Sequence, residues 1–469
     1  MFLQKRLADC LSAERLCEES SFMQAWLRYD SDYTIFDSMR DSVHFAVERT
    51  LIPYKSHLCA KSSFVIPNGR IMHWHEFGDI EGPGWAANAV GGAYEIYCYG
   101  DYVADHEFIH KALLLLDHVL EDGFVNDDTG FVIGYRDTRT DKFWLNYKRN
   151  NDWFCAGSMA KIGFQMLMFA DLLAGRSSGG MGIVPMTSQG QDKGARSSHG
   201  QDARAIKMRD VATKMASWIH SNIRPLPNGW YPKRSRSDCQ PYRKHPWGLN
   251  DPVFDQSGDG LFIIQLMTAL TERGLADYRE EIRRRIEVFM ARGGIFGSIN
   301  HDTKDQNENV AYAVGFRVLR AAARLVGDEK IRRFAYEKCL AGLDQFKMHE
   351  DRNGCATKGL LFMEKSWDTA YMWENAEAAL AYVEAYEETG RESFRDEAFI
   401  LLQAISKHHH GPYGFLTEGV DWNNAVKLRK HHFWHAKYGD IRYTEPLLNN
   451  LHITEPTLHL LRLWPEMRI

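Results

Sequence analysis

No apolar run in this 469-residue chain approaches the ~18 residues of a spanning helix, so no membrane-spanning helix is expected. The segment Met1–Leu16 mixes Lys5, Arg6, Asp9 and Glu14 into an amphipathic pattern. It lacks the continuous apolar stretch of a secretory signal, and a cytoplasmic location is expected. The 8 cysteines are scattered, with no C-x-x-C pair and no histidine at zinc spacing, which points to reduced, mostly buried thiols. Charge of one sign is also missing. The net value is −5 from 57 basic and 62 acidic residues, so no global field recruits nucleic acid or a membrane surface, and neither is an expected partner.

What is present is a large apolar fraction, 44%, and 13 Trp, many of them in polar, glycine-rich loops where no periodicity asks for them. Helical spacing predicts twelve segments: 36–50, 84–99, 104–122, 153–174, 203–221, 255–271, 277–292, 308–326, 329–346, 367–389, 392–408 and 454–464. The even members are rich in small residues, as in Ala86–Gly92 and Ala376–Ala379, and suit close approach to neighbours. Odd members such as 277–292 carry Arg, Glu and Lys on a solvated face. Even segments end in short turns such as Val326-Gly-Asp-Glu329 and Thr389-Gly-Arg-Glu392, with the glycine expected after a helix and an acid at the next start. Odd segments end in long loops full of Trp, Tyr, His and Asp.

Six hairpins of outer and inner helices predict an all-α fold, an (α/α)6 barrel with short β-hairpins in the loops at its mouth. Residues 34–469 would form that one domain, preceded by a helical extension over 1–33. A Gly/Ser/Gln-rich insertion at 175–202 would lie on the face opposite the mouth. The stretch Ser366–Gly390 is the template: Ser366 as cap, Trp367, Asp368, Tyr371, Trp373 and Glu374 crowding the first two turns, then Ala-rich packing to Gly390.

Paired carboxylates and aromatic rings at one end of a barrel suit acid–base chemistry on a ligand with flat apolar faces. The carboxylate candidates are Asp152, Asp255, Glu308 and Asp368, with Glu374 behind them and Glu418 in reserve. Asp255 and Asp259 are expected one turn apart on a helix, where coupling would raise one pKa and keep an acid protonated near neutrality. Asp152 and Glu308 also suit simple helix caps. Ligand contacts are expected from His73, Trp74, Trp153, Arg234, His245, Trp247, Asn309, Trp373, Glu374, Trp422, His432 and Trp434, with Arg234, Lys244 and Lys430 aimed at an anion. His73-Trp-His75-Glu76 has two metal-type ligands but no third at a fitting position, so no metal or cofactor is expected.

The helix alternation, the short Gly-Asp returns and the starts N-N-D-W (Asn150–Trp153), F-D-Q-S-G-D-G (Phe254–Gly260) and S-W-D-T (Ser366–Thr369) resemble the six-hairpin glycosidase superfamily over residues 36–469. That resemblance implies an oligosaccharide or polysaccharide substrate and, most often, inverting hydrolysis by two carboxylates ~6.5–9.5 Å apart. The cation-rich loops add an expectation of uronic acid. The resemblance also embraces uronate lyases, which would use Tyr413, Tyr438, His432 or His245 for proton abstraction, and sugar epimerases. A noncatalytic sugar-binding protein fits the acid-rich mouth less well.

Overall fold

The computed structural model describes residues 33–61, 64–65, 71–72, 79–85, 87–175, 198–246, 248, 250–300, 303–352, 355–410, 415–422 and 447–465. Twelve α-helices run through them: α1 (Ile35–Arg49), α2 (Ala89–Val103), α3 (His106–Glu121), α4 (Ala156–Leu173), α5 (Ser198–Asn222), α6 (Gly260–Glu272), α7 (Arg279–Ala291), α8 (Asn309–Val326), α9 (Glu329–Phe334), α10 (Met372–Thr389), α11 (Glu392–Ser406) and α12 (Thr454–Leu463). Strands among the described residues occur only in pairs or one triple. No described helix is long and apolar enough to cross a membrane.

These residues fall into two compact units. The larger spans Leu51–Lys61 and Ile80–Leu343, and the other takes the described parts of Met1–Thr50, Ser62–Asp79 and Asp344–Ile469. In the larger unit α2, α4, α6 and α8 are buried along nearly their whole circumference, whereas α3, α7 and α9 bury one face and solvate the other. The alternation read from composition is therefore an alternation of burial. In the smaller unit α10 is buried in the same way and packs on α11 and α12. There α1 opens with a capping box between Thr34 and Asp37.

The short returns follow the expected chemistry. Gly274, Gly327 and Gly390 take left-handed conformations after their helices, and Asp105 and Asp328 accept from Glu107 N and Lys330 N at the next starts. One return differs. Helix α2 runs through Gly100 to Val103, and Ala104 adopts the left-handed conformation (φ 56°) while Asp105 N–H closes the end on Gly100 O at 2.8 Å.

Several inner helices start later than their periodicity predicts, because the residues before them are drawn into strands or turns. Thr369–Tyr371 pairs antiparallel with Gly419–Asp421. Helix α10 consequently begins at Met372, and the Ser366 hydroxyl donates to Glu364 (2.7 Å) instead of capping. Trp153–Phe154 likewise pairs with Ser235–Arg236. The Asp-Asp-Thr-Gly turn is a tight hairpin in which Asn126 Oδ1 accepts from the N–H groups of Asp128 and Thr129. The insertion falls mostly outside the described residues.

Candidate active site

In the larger unit α6 packs against both α4 and α8, and charge collects where these helices begin. The pairing of Trp153–Phe154 with Ser235–Arg236 lays the segment from Trp230 to Asp251 across the start of α4 and carries Lys233 and Arg234 into the interior, where neither is exposed. Arg234 Nη1 lies 2.7 Å from Asp251 Oδ2, and Lys233 Nζ lies 3.6 Å from the same oxygen. Lys233 also donates to Thr303 O at 2.9 Å. At the start of α8, Glu308 accepts from Ile299 N, from Asn300 Nδ2 (2.8 Å) and from Thr303 Oγ1 (3.3 Å). At the start of α6, Asp259 Oδ2 accepts from Gly157 N in the first turn of α4 (3.0 Å), while its buried Oδ1 has no hydrogen-bond partner.

Gly157 is what allows that approach, since a Cβ there would overlap the Asp259 carbonyl and carboxylate. The Gly157→Ala protein should be less stable by about 1–3 kcal/mol, as for other overpacked interiors. Urea denaturation measures this, and an unchanged midpoint would show that the α4–α6 contact is loose.

Three carboxylates, Asp251, Asp259 and Glu308, thus share a water-poor region with two cations. One negative charge is left over, and a single bound proton balances the set. Asp251 is held below the usual carboxylate range because Lys233 and Arg234 outweigh the effect of its burial. Burial raises Asp259 to about 7 against the pull of Lys233, and it also raises Glu308. Burial and then the Arg234 charge lower His245 to about 4, so the imidazole is neutral at pH 7. Burial favours the protonated form at both acids, and Asp259, with one donor on Oδ2 and none on Oδ1, is held less well as an anion than Glu308 with its three donors.

A second polar set lies between α2 and α4. The Lys161 ammonium sits 4.2 Å from the Trp85 ring centre, and Trp85 Nε1 donates to Asn300 Oδ1 at 3.2 Å. Through Asn300, Glu308 thereby helps to hold the Trp85 indole. One turn beyond Lys161, Gln165 Nε2 donates to Asn88 Oδ1 at 3.0 Å. That leaves Asn88 Nδ2 and Gln165 Oε1 buried without hydrogen-bond partners. Asn88 is in the left-handed conformation, φ 49°, and a Cβ on Gly91 would overlap the amide pair. Sequence reasoning passed over Asn88, Lys161 and Gln165. Their available signal was polarity at i and i+4 in a helix with no polar face.

The sequence candidates are distributed unevenly. Glu308, Asn309, Arg234, His245 and Trp153 lie in or beside the cluster and are buried. Asp255 is half-buried and Asp152 exposed. Asp255 and Asp259 are not on one helical face, because both precede Gly260, the first residue of α6. Asp152 does not cap α4, which has Cys155 at its cap position. Trp153 is 2% exposed, with its ring stacked 6.0 Å from Tyr242 and 5.7 Å from the Arg234 guanidinium. In the smaller unit Trp373 and Glu374 are buried in the first turn of α10, Asp368 is half-buried, and Trp422 lies 5.1 Å from the Arg352 guanidinium. His73, Trp74, Trp247, His432 and Trp434 fall outside the described residues, as do Lys430, Tyr413 and Tyr438.

Neither a protein-family model nor a curated protein matches the sequence. Solved structures do. The fold is similar to that of cellobiose 2-epimerase from Bacillus thermoamylovorans B4167, with TM-score 0.56 and 11% identity over 90% of this chain and 97% of that one. It is similar to a D-mannose isomerase, with TM-score 0.57 and 9% identity over 93% and 100%. A family 76 glycoside hydrolase from a bovine Bacteroides thetaiotaomicron strain gives TM-score 0.55 and 11% identity over 92% and 78%. With twelve α-helices among its described residues, the chain shares the (α/α)6-barrel fold of these structures.

Proposed function

We propose that this protein is a carbohydrate-processing enzyme that hydrolyses a glycosidic bond by acid–base catalysis, with Asp259 as the proton donor. The observation that carries the reading is a carboxyl buried at the start of α6 with Oδ1 unpartnered, which burial raises to about 7 against the pull of Lys233 and Arg234. Its carboxyl would give a proton to the departing glycosidic oxygen. Water would attack the anomeric carbon and lose a proton to a second carboxylate, supplied by the exposed Asp152 or the half-buried Asp255. Glu308 is a positioning residue in this scheme, since three donors engage its oxygens. The Asn88–Gln165 pair offers one donor and one acceptor, the complement of a sugar hydroxyl.

The anionic character expected of the substrate loses Arg234, whose charge faces Asp251. It rests instead on Lys161. A second reading, epimerisation or isomerisation of a sugar, is favoured by the likeness to an epimerase and an isomerase. It would use the same acid to move a proton between carbon and oxygen.

Incubation in D2O with neutral and uronic mono- and oligosaccharides separates the two. Hydrolysis releases reducing ends without carbon-bound deuterium, and epimerisation or isomerisation places deuterium on carbon with no new reducing end. Absence of both outcomes on all sugars would overturn the enzymatic reading.

A further inference from the structure

A second titratable cluster lies in the larger unit, outside the catalytic reading. The hairpin of Leu51–Tyr54 and His57–Ala60 packs on α3. It brings His57 Nδ1 to 2.7 Å from Asp122 Oδ2, and His118 Nδ1 reaches the same oxygen at 2.8 Å. His118 Nε2 stands 3.0 Å from each oxygen of Glu81, and Glu81 accepts from Arg136 Nε at 2.5 Å. Lys55 Nζ binds the other Asp122 oxygen at 2.9 Å.

We propose that His57, His118 and Asp122 form a binding site for a zinc-class divalent ion that fastens the hairpin to α3. Two imidazole nitrogens and one carboxylate oxygen are a donor set suited to zinc, and the three atoms lie within 4.8 Å of one another. Ligands about 2.0–2.2 Å from a tetrahedral ion stand roughly 3.3–3.6 Å apart. Each imidazole nitrogen therefore has to move about 0.5–0.9 Å from Asp122 Oδ2.

The outer shell is already in place. A ligating histidine ordinarily gives its other N–H to a carboxylate. His118 does so to Glu81, and Arg136 fixes Glu81 in turn. His118 is fully buried, whereas the His57 and Asp122 side chains are 13% and 7% exposed, so an ion enters from the hairpin side.

Lys55 and Arg136 do not oppose the ion. A carboxylate oxygen only accepts, so each nitrogen bonded to Asp122 Oδ2 presents a proton to it. On binding, His118 releases its Nδ1 proton and keeps Nε2–H on Glu81, while the His57 proton shifts to Nε2, 3.6 Å from Glu121, so the ion adds one net charge beside the carboxylates of Glu81, Glu121 and Asp122.

The test uses the full-length, metal-stripped protein titrated with Zn2+ by calorimetry, and with Co2+ for the visible absorption of a tetrahedral site. Wild type should bind one equivalent of Zn2+ and melt at a higher temperature with it. His57→Ala and Asp122→Asn should each weaken binding by more than about 100-fold, and Glu81→Gln by about 10–100-fold. Failure of wild type to bind, or wild-type affinity in both ligand variants, would overturn the proposal. If His57→Ala does not fold, the nearly isosteric Asp122→Asn decides alone.

Discussion

Replacing Asp259 with Asn is expected to lower turnover by about 10²–10⁴, the usual contribution of a general acid, while raising stability above neutral pH. The amide keeps the carbonyl that accepts from Gly157 N but carries no transferable proton. The folded-state pKa of about 7 lies above the ~3.9 of an unfolded Asp. Between those values the folded protein binds more protons than the unfolded chain, so the stability this group contributes is complete below ~pH 4 and lost as pH rises through about 7. Wild-type activity should decline over the upper part of the same window as the acid ionises. At pH 8 the Asn variant should therefore exceed wild type by on the order of a few kcal/mol. Urea midpoints at pH 5 and pH 8, with turnover on whichever sugar the D2O screen identifies, test both halves. A fully active Asn variant would remove Asp259 from the chemistry. Equal midpoint differences at the two pH values would show that it does not hold the proton.

Replacing Arg234 with Met should cost about 3–5 kcal/mol, because it leaves Asp251 a buried charge with only Lys233 at 3.6 Å. The double replacement Arg234→Met with Asp251→Leu should recover most of the loss, since removing both partners leaves no uncompensated charge. This distinguishes a charge holding the interior together from one that meets a substrate. A substrate-contacting Arg234 would instead raise KM with little change in the denaturation midpoint. A double variant as unstable as the single would mean that packing, not charge pairing, is what the position supplies.

The contrast shows what the sequence could reveal. Composition distinguished inner from outer helices because a helix buried all around must be apolar and small, and that demand is written on each residue separately. Helix starts were less legible. Ser366, Trp367 and Asp368 look like a cap and a first turn, but strand pairing with residues some fifty positions later, Gly419–Asp421, overrides the local preference. The same holds for Arg234. An arginine among Trp, Tyr and Lys reads as an anion contact, and only the fold shows that Asp251 lies 2.7 Å away. Glu308 was legible as an acid at a helix start; that three donors of the preceding loop, Ile299, Asn300 and Thr303, close on its carboxylate was not. Asn88, Lys161 and Gln165 acquire meaning only when α2 and α4 lie side by side.

Helix α9 has one further consequence. It widens into a π turn over Ala335–Leu340 and then tightens to a 3₁₀ turn over Ala341–Phe346. Ile331, Ala335, Cys339 and Leu340 are all buried, and Tyr336 meets Phe316 of α8 edge-on at 5.1 Å. A π turn holds one residue more than α-helical winding would, so the phase of the side chains advances there without either flank turning away from α8. Losing a residue within Ala335–Leu340 would convert that turn to α geometry and leave the flanks seated. The helix thus contains a joint, a place where the gene can lose one codon without the buried face of Ile331 and Ala335 turning away from α8.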